Sequence, residues 1–147
     1  MQNEIVINLE VEASASKVWA CLTDPDLVKQ YMFGSIVHSS WKVGDPIEYT
    51  MNIEGKDMVV VNGIIKEVDV DNRLVHTLFP TGSAMEDIPE NYLDIEYNIS
   101  SDGSTTTLNI IQSGFESVAD GEQRYKDSIS GWDIILDMIK KLAEASS

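Results

Sequence analysis

The sequence predicts an α+β fold in which a curved antiparallel sheet of six to seven strands wraps a long C-terminal helix, with two short helices after the first strand. Three observations predict it. Residues 3 to 12 alternate between apolar and polar from the start of the chain, the period of a strand with one buried face. Between residues 47 and 113 β-rich segments follow one another across tight, polar turns, which is the pattern of an antiparallel meander. After residue 120 the period changes to that of a helix.

In the first strand Ile5, Ile7, Leu9 and Val11 share one face and Glu4, Val6, Asn8 and Glu10 the other. Ser14 is an N-cap for a helix carrying Val18, Trp19 and Leu22, and Asp24-Pro25 supplies a second N-cap with proline at the first helical position. Ile47, Tyr49, Met51 and Ile53 then alternate with polar residues up to the Glu54-Gly55-Lys56-Asp57 turn, which leads into Met58 to Val68. Asp69-Val70-Asp71-Asn72 turns into Arg73 to Phe79, and Ser101-Asp102-Gly103 joins Tyr92 to Ser100 with Ser104 to Ser113. The stretch PTGSAMEDIPEN, with Gly82 between Pro80 and Pro89, has too little periodicity for an element of its own and reads as a mobile rim loop. From Asp120 to about Ala143, Tyr125, Ile129, Trp132, Leu136, Ile139 and Ala143 recur at spacings of four and three, with Asp120 and Gln123 as a capping-box pair. Such a helix is on the order of 35 Å long, enough to cross a small sheet. Ser146-Ser147 reads as a frayed end.

The 147 residues, 43% of them hydrophobic, suffice for one core without disulfides or metals, and no linker or repeat divides them, so a single domain over 1–147 is expected. The lone Cys21 forms no intramolecular disulfide. The N-terminus lacks the basic start and continuous apolar run of a signal peptide, and no window reaches the roughly 20 apolar residues of a membrane-spanning helix, so a cytoplasmic location is expected. With 25 acidic against 10 basic residues the formal charge is -15, which repels nucleic acid and anionic lipid surfaces. No cofactor is expected. His38 and His76 are the only histidines and have no metal-ligand spacing, no glycine-rich phosphate loop occurs, and the stretch from Asp69 has Leu74 and Pro80 where a calcium loop needs glycine and glutamate.

Local motifs narrow the fold to a family. Ala15-Ser16-Lys17-Val18-Trp19, Leu22-Thr23-Asp24-Pro25, Tyr31-Met32-Phe33-Gly34 and Trp41-Lys42-Val43-Gly44-Asp45-Pro46-Ile47 occur in order. They are followed by Gly63 with Ile65, Glu67, Asp69, Arg73-Leu74 and Thr77, then Thr107-Leu108, Ile110, Gln112, Gly114-Phe115 and Gly131-Trp132. The chain resembles the helix-grip proteins of the START-like (SRPBCC) superfamily, in the branch of homologues of the C-terminal domain of the heat-shock-protein-90 ATPase activator. The resemblance implies a sheet gripping the last helix. It does not by itself imply one function, because the superfamily hosts carriers, receptors and enzymes. The eukaryotic activator carries a further domain before this one, whereas here the first strand begins almost at the first residue, so a binding module is expected ahead of a chaperone activator.

With that fold, strand parity turns inward Ile47, Tyr49, Met51 and Ile53; Leu74, His76 and Leu78; Leu93, Ile95, Tyr97 and Ile99; and Leu108, Ile110 and Gln112. A mostly apolar set with a few polar tips fits a small-molecule pocket and an ordinary core alike. Tyr49, Tyr97 and Gln112 offer hydrogen-bonding groups, His76 a proton-exchanging or orienting imidazole, and Trp132 a large ring on the gripping helix. Met51, Leu78 and Leu136 complete the candidate lining, and no catalytic residue is assigned. Asp133 is expected to face solvent, Cys21 to be an inert buried thiol, and Trp19 and Trp41 to close core edges.

The expected function is non-catalytic binding of a small apolar or amphipathic molecule between the sheet and the C-terminal helix, by a monomer or a homodimer. The alternative, implied by the family, is a co-chaperone or regulatory domain that binds a chaperone or other protein. A cyclase- or hydrolase-like enzyme comes third, for want of a convincing acid-base pair.

Overall fold

β1 (Glu4–Val11) opens the residues that the computed structural model describes, 4–81 and 83–145. Gly82 and Ser146-Ser147 lie outside them. Ser14 accepts a 3.3 Å hydrogen bond from the Lys17 amide and so starts α1 (Ala15–Thr23). Asp24 ends that helix, its amide donating to Ala20 O, and its carboxylate then caps α2 (Pro25–Tyr31) by accepting from the Asp26 amide at 2.9 Å. The N-caps read at Ser14 and Asp24 are therefore formed.

A short strand that periodicity does not reveal follows, β2 (Ile36–Ser39), in which only Val37 is buried. Then come β3 (Pro46–Ile53), β4 (Lys56–Asp69), β5 (Arg73–Pro80), β6 (Leu93–Asp102) and β7 (Thr105–Ser113), and the chain reaches α3 (Gly121–Ala145). The seven strands form one antiparallel sheet in the order β1-β7-β6-β5-β4-β3-β2. β1 returns to pair with β7, Leu9 opposite Leu108, so β1 and β2 are the edges. The expected helix-grip architecture is present. Two bulges bend β4: Val60 is extra between the pairs Tyr49–Val61 and Thr50–Val59, and Lys66 is extra between Ile65–His76 and Glu67–Val75.

α3 lies on the concave face with α1 and α2 beside it. Lys140 Nζ donates to Glu10 O at 2.9 Å, and the Glu12 amide to Glu144 at 2.8 Å, which ties α3 to the edge strand. Val18, Cys21, Leu22, Val28, Leu74, Leu108, Ile110 and Ile139 are among the buried residues between helices and sheet. Each such side chain contributes on the order of 1.5–3 kcal/mol relative to exposure.

Four expectations are corrected. Ile53 is 43% exposed, because β3 runs out into a hairpin tip whose residues 54–58 are all exposed. The first half of α3 is turned by about one residue from its apolar spacing, leaving Ile129 exposed. Asp120 has a left-handed φ of 53° and Gln123 donates forward to Asp127 at 2.9 Å, so no capping box closes. The segment after β5 is not a bare loop: it holds a 3-10 turn, Pro89–Asn91, and packs on the outer sheet face. There Tyr92 stacks on the buried Phe79 with ring centroids 5.0 Å apart.

Two glycines are fixed by close approach. A Cβ on Gly63 would stand 1.8 Å from Thr77 O, and one on Gly121 1.8 Å from Phe115 O, so no side chain fits at either.

Candidate functional site

Three layers converge on a pocket of about 180 Å³ between the concave sheet face and α3. The sheet contributes Tyr49, Val61, His76, Leu78, Ile95, Tyr97 and Gln112, α3 contributes Ser128, Gly131, Trp132 and Ile135, and Tyr31 and Met32 close one side from the end of α2. Strand parity explains the sheet residues: the register sets Tyr49 opposite Val61, His76 opposite Ile95, and Ile95 opposite Gln112, all pointing to the same face.

The polar tips divide into satisfied and free. Trp132 Nε1 donates to Gln112 Oε1 at 2.9 Å, and the Tyr31 hydroxyl donates to Cys21 O at 2.7 Å. His76 Nδ1 lies 2.7 Å from Thr77 O; a carbonyl only accepts, so Nδ1 carries the proton and Nε2 keeps its lone pair. Among the described residues the Tyr49 and Tyr97 hydroxyls, His76 Nε2 and the Gln112 carboxamide nitrogen have no protein partner. None of them is sealed in the packed interior, where Arg124 Nη2 alone is unpartnered among the described residues. These four atoms face the pocket.

The pocket is electrically neutral. Burial pushes the His76 imidazole down to about 4, against a weaker opposing effect of its bond to Thr77, so it is uncharged at neutral pH. Burial drives the Tyr49 and Tyr97 phenols well above their usual value, so both keep their protons. The lining contains no carboxylate, and Asp133 on α3 is exposed. Cys21 is buried and its thiol is raised to about 11 by that burial, which suppresses the thiolate.

Of the residues proposed from sequence, Tyr49, His76, Leu78, Tyr97, Gln112 and Trp132 are brought together here. Met51 and Leu136 are not. Met51 lies half-buried toward the β3 hairpin tip, and the turn of α3 places Ile135 in the lining where Leu136 was expected. Trp19 and Trp41 are half-buried in the surrounding core and do not reach the pocket. Sequence reasoning missed Tyr31, Val61, Ser128 and Gly131. Ile95 was read as inward but not as lining. The available signal was the glycine: Gly131 sits mid-helix, where it costs about 1 kcal/mol relative to alanine, and a Cβ there would meet no atom within 4 Å beyond its own turns of helix. Among the described residues no cluster of three or more His, Cys, Asp or Glu could hold a metal. No helix among them is long and apolar enough to cross a membrane.

An antiparallel sheet gripping a C-terminal helix over such a pocket defines a START-like α+β protein. The chain belongs to the family described as activator of Hsp90 ATPase homolog 1-like protein, which matches residues 12–144. Among solved structures it is similar to ChR145 from Cytophaga hutchinsonii, with 26% identity, 99% of this chain and 98% of that one covered, and a TM-score of 0.74. It is also similar in fold to CalU16 from Micromonospora echinospora, at 17% identity, 97% and 77% coverage and a TM-score of 0.70. The same holds for PFC0360w, an HSP90 activator from Plasmodium falciparum, at 14% identity, 94% coverage of each chain and a TM-score of 0.70. Among curated proteins none matches.

Proposed function

We propose that the chain is a non-catalytic binding module, acting as one START-like unit over residues 1–147 in the cytoplasm, which holds a small, uncharged, partly apolar molecule between sheet and α3. The observation that carries this reading is the set of four unpartnered polar atoms, on Tyr49, His76, Tyr97 and Gln112, turned into a pocket otherwise lined by apolar groups. Buried polar groups without partners are costly, and a ligand or ordered water that supplies partners removes the cost. The size sets the class. At about 180 Å³ the pocket is close to the roughly 150 Å³ apolar cavity that admits benzene, so the core of the ligand is about one ring. Its hydrogen-bonding groups match two phenols, an amide donor and an imidazole acceptor.

Native mass spectrometry of protein purified from its own host, followed by organic extraction, tests the proposal. A stoichiometric adduct that is lost in Tyr97→Phe or Gln112→Leu supports it. A clean apo mass, with no bound molecule recovered by extraction, counts against it.

A second reading has one observation in its favour, the activator description that the family and the Plasmodium falciparum structure share. On that reading the chain binds a chaperone through its outer surface. Stimulation of the ATPase of a heat-shock protein 90, undiminished by the two pocket substitutions, would favour it.

A further inference from the structure

The opposite face of the sheet carries a second, larger concavity. Its volume is about 600 Å³, inside the range of roughly 300–1,000 Å³ typical of small-molecule sites. Parity builds its floor: Pro46 and Glu48 on β3, Asn62 and Ile64 on β4 and Thr77 on β5 point away from α3. The segment that follows β5 raises one wall with Asp87, Pro89 and Tyr92.

This wall is fixed. The Tyr92 ring stacks on Phe79, and its hydroxyl, 2.6 Å from Asp87 Oδ1 and 2.7 Å from Asn62 Oδ1, donates its one proton to the carboxylate. The floor is fixed as well, because the Ile64 amide donates to Thr77 Oγ1 at 2.9 Å and Gly63 lets the two backbones close up. The result is a preformed recess with apolar surface from Pro46, Ile64, Pro89 and the Tyr92 ring.

Its charge is one-sided. Lys66 also lines the groove, but its ammonium is ion-paired with Asp94 at 2.9 Å, which leaves the unpaired charge of the lining negative. Glu48 is half-buried and has no ion pair or side-chain hydrogen bond among the described residues, while Asp87 accepts only the Tyr92 hydroxyl. Two carboxylates that make no ion pair among the described residues, on the floor and on the wall, share the lining with the Tyr92 ring, whose face itself attracts cations. The net charge of -15 adds a long-range pull of the same sign.

We infer that this outer groove is a second binding site, separate from the pocket under α3, which takes a small organic cation: an amine whose charge lies between Glu48 and Asp87 and whose apolar body lies on Ile64, the prolines and the Tyr92 ring. The inference does not depend on the proposed function, since the two sites lie on opposite faces of the sheet.

Phenethylammonium and phenylacetate, which share a ring and differ in charge, serve as probes in amide-resolved NMR titrations of the whole chain. The expected result is saturable shifts at Asn62, Gly63, Ile64, Asp87 and Tyr92 with the cation and none with the anion. Glu48→Gln should weaken the cation about tenfold, as loss of a charge-assisted contact does. Asp87→Asn, at an exposed position, provides a second variant in which folding is not at issue. Equal shifts with both probes, shifts confined to Gln112, Gly131 and Trp132, or no shifts at millimolar cation would each overturn the inference. So would affinity unchanged in both variants. Binding of a lysine-rich peptide without binding of the amine would overturn the small-molecule assignment.

Discussion

His76 governs how the pocket responds to acid. Its folded-state value of about 4 lies below the 6.5 of a free imidazole, so the unfolded chain takes up the proton first as pH falls. The stability contributed by the neutral ring is complete above about pH 6.5, declines between 6.5 and 4, and is gone below. A gap of that width amounts to roughly 3 kcal/mol. Urea midpoints at about pH 7.5 and about pH 4.5 should fall much less in His76→Gln than in the parent chain. Equal acid losses in both would mean that the imidazole is solvated in the folded protein. At this scale much was legible: Tyr49, His76, Leu78, Tyr97 and Gln112 follow from alternation along strands, which fixes a face without knowledge of neighbours. Met51 and Leu136 failed because alternation and helical spacing fix direction only. How far β3 extends past the core, and the rotation of α3 that seats Ile135, depend on tertiary packing.

Among the elements, α3 depends on the segment before β6 for its start. Asn91 accepts from the Ala119 amide through its side chain at 2.9 Å, donates to Glu86 O at 2.8 Å, and its carbonyl receives Arg124 Nη1 at 2.7 Å. The Arg124 guanidinium is buried there, and the burial depresses its proton affinity. Asn91→Ala removes the two side-chain bonds while leaving the carbonyl, and should cost about 2–3 kcal/mol by denaturant unfolding. A loss below about 0.5 kcal/mol would show that water replaces both bonds. This clasp was illegible in the sequence. PTGSAMEDIPEN has neither period; Asn91 at its end is held by Arg124, and Tyr92, the next residue, by Asn62 and Phe79, all contacts across the chain. β2 was missed for a related reason: four residues with one buried side chain carry almost no pattern, and pairing with β3 makes them a strand.

For the molecule as a whole, 25 acidic residues on 147 set a self-repulsion that the ion pairs offset only locally, as where Arg73 bonds Glu67 and Glu96. Raising ionic strength from about 10 to 150 mM shortens the screening length from about 30 to about 8 Å. The melting temperature should therefore rise by several degrees, and a fall would mean that the ion pairs outweigh the repulsion. The global architecture was the most legible level, because strand turns, helix caps and apolar periods all agreed on it. The pocket volume was not legible, since it is what remains after thirteen residues, from five strands, α3 and the end of α2, have packed together.

The central claim is that the space under α3 exists to hold a ligand, and Gly131 tests it most directly. Alanine there should stabilise the unliganded protein by about 1 kcal/mol, because a helical glycine is replaced and nothing beyond its own turns of helix stands within 4 Å of the new Cβ. Leucine should fill the space. In an amide-resolved titration with phenol, a neutral one-ring probe, the parent chain is expected to shift at His76, Tyr97, Gln112 and Trp132, and Gly131→Leu to show none of these shifts while remaining folded. Identical phenol shifts in both proteins, or none in the parent, would contradict the account.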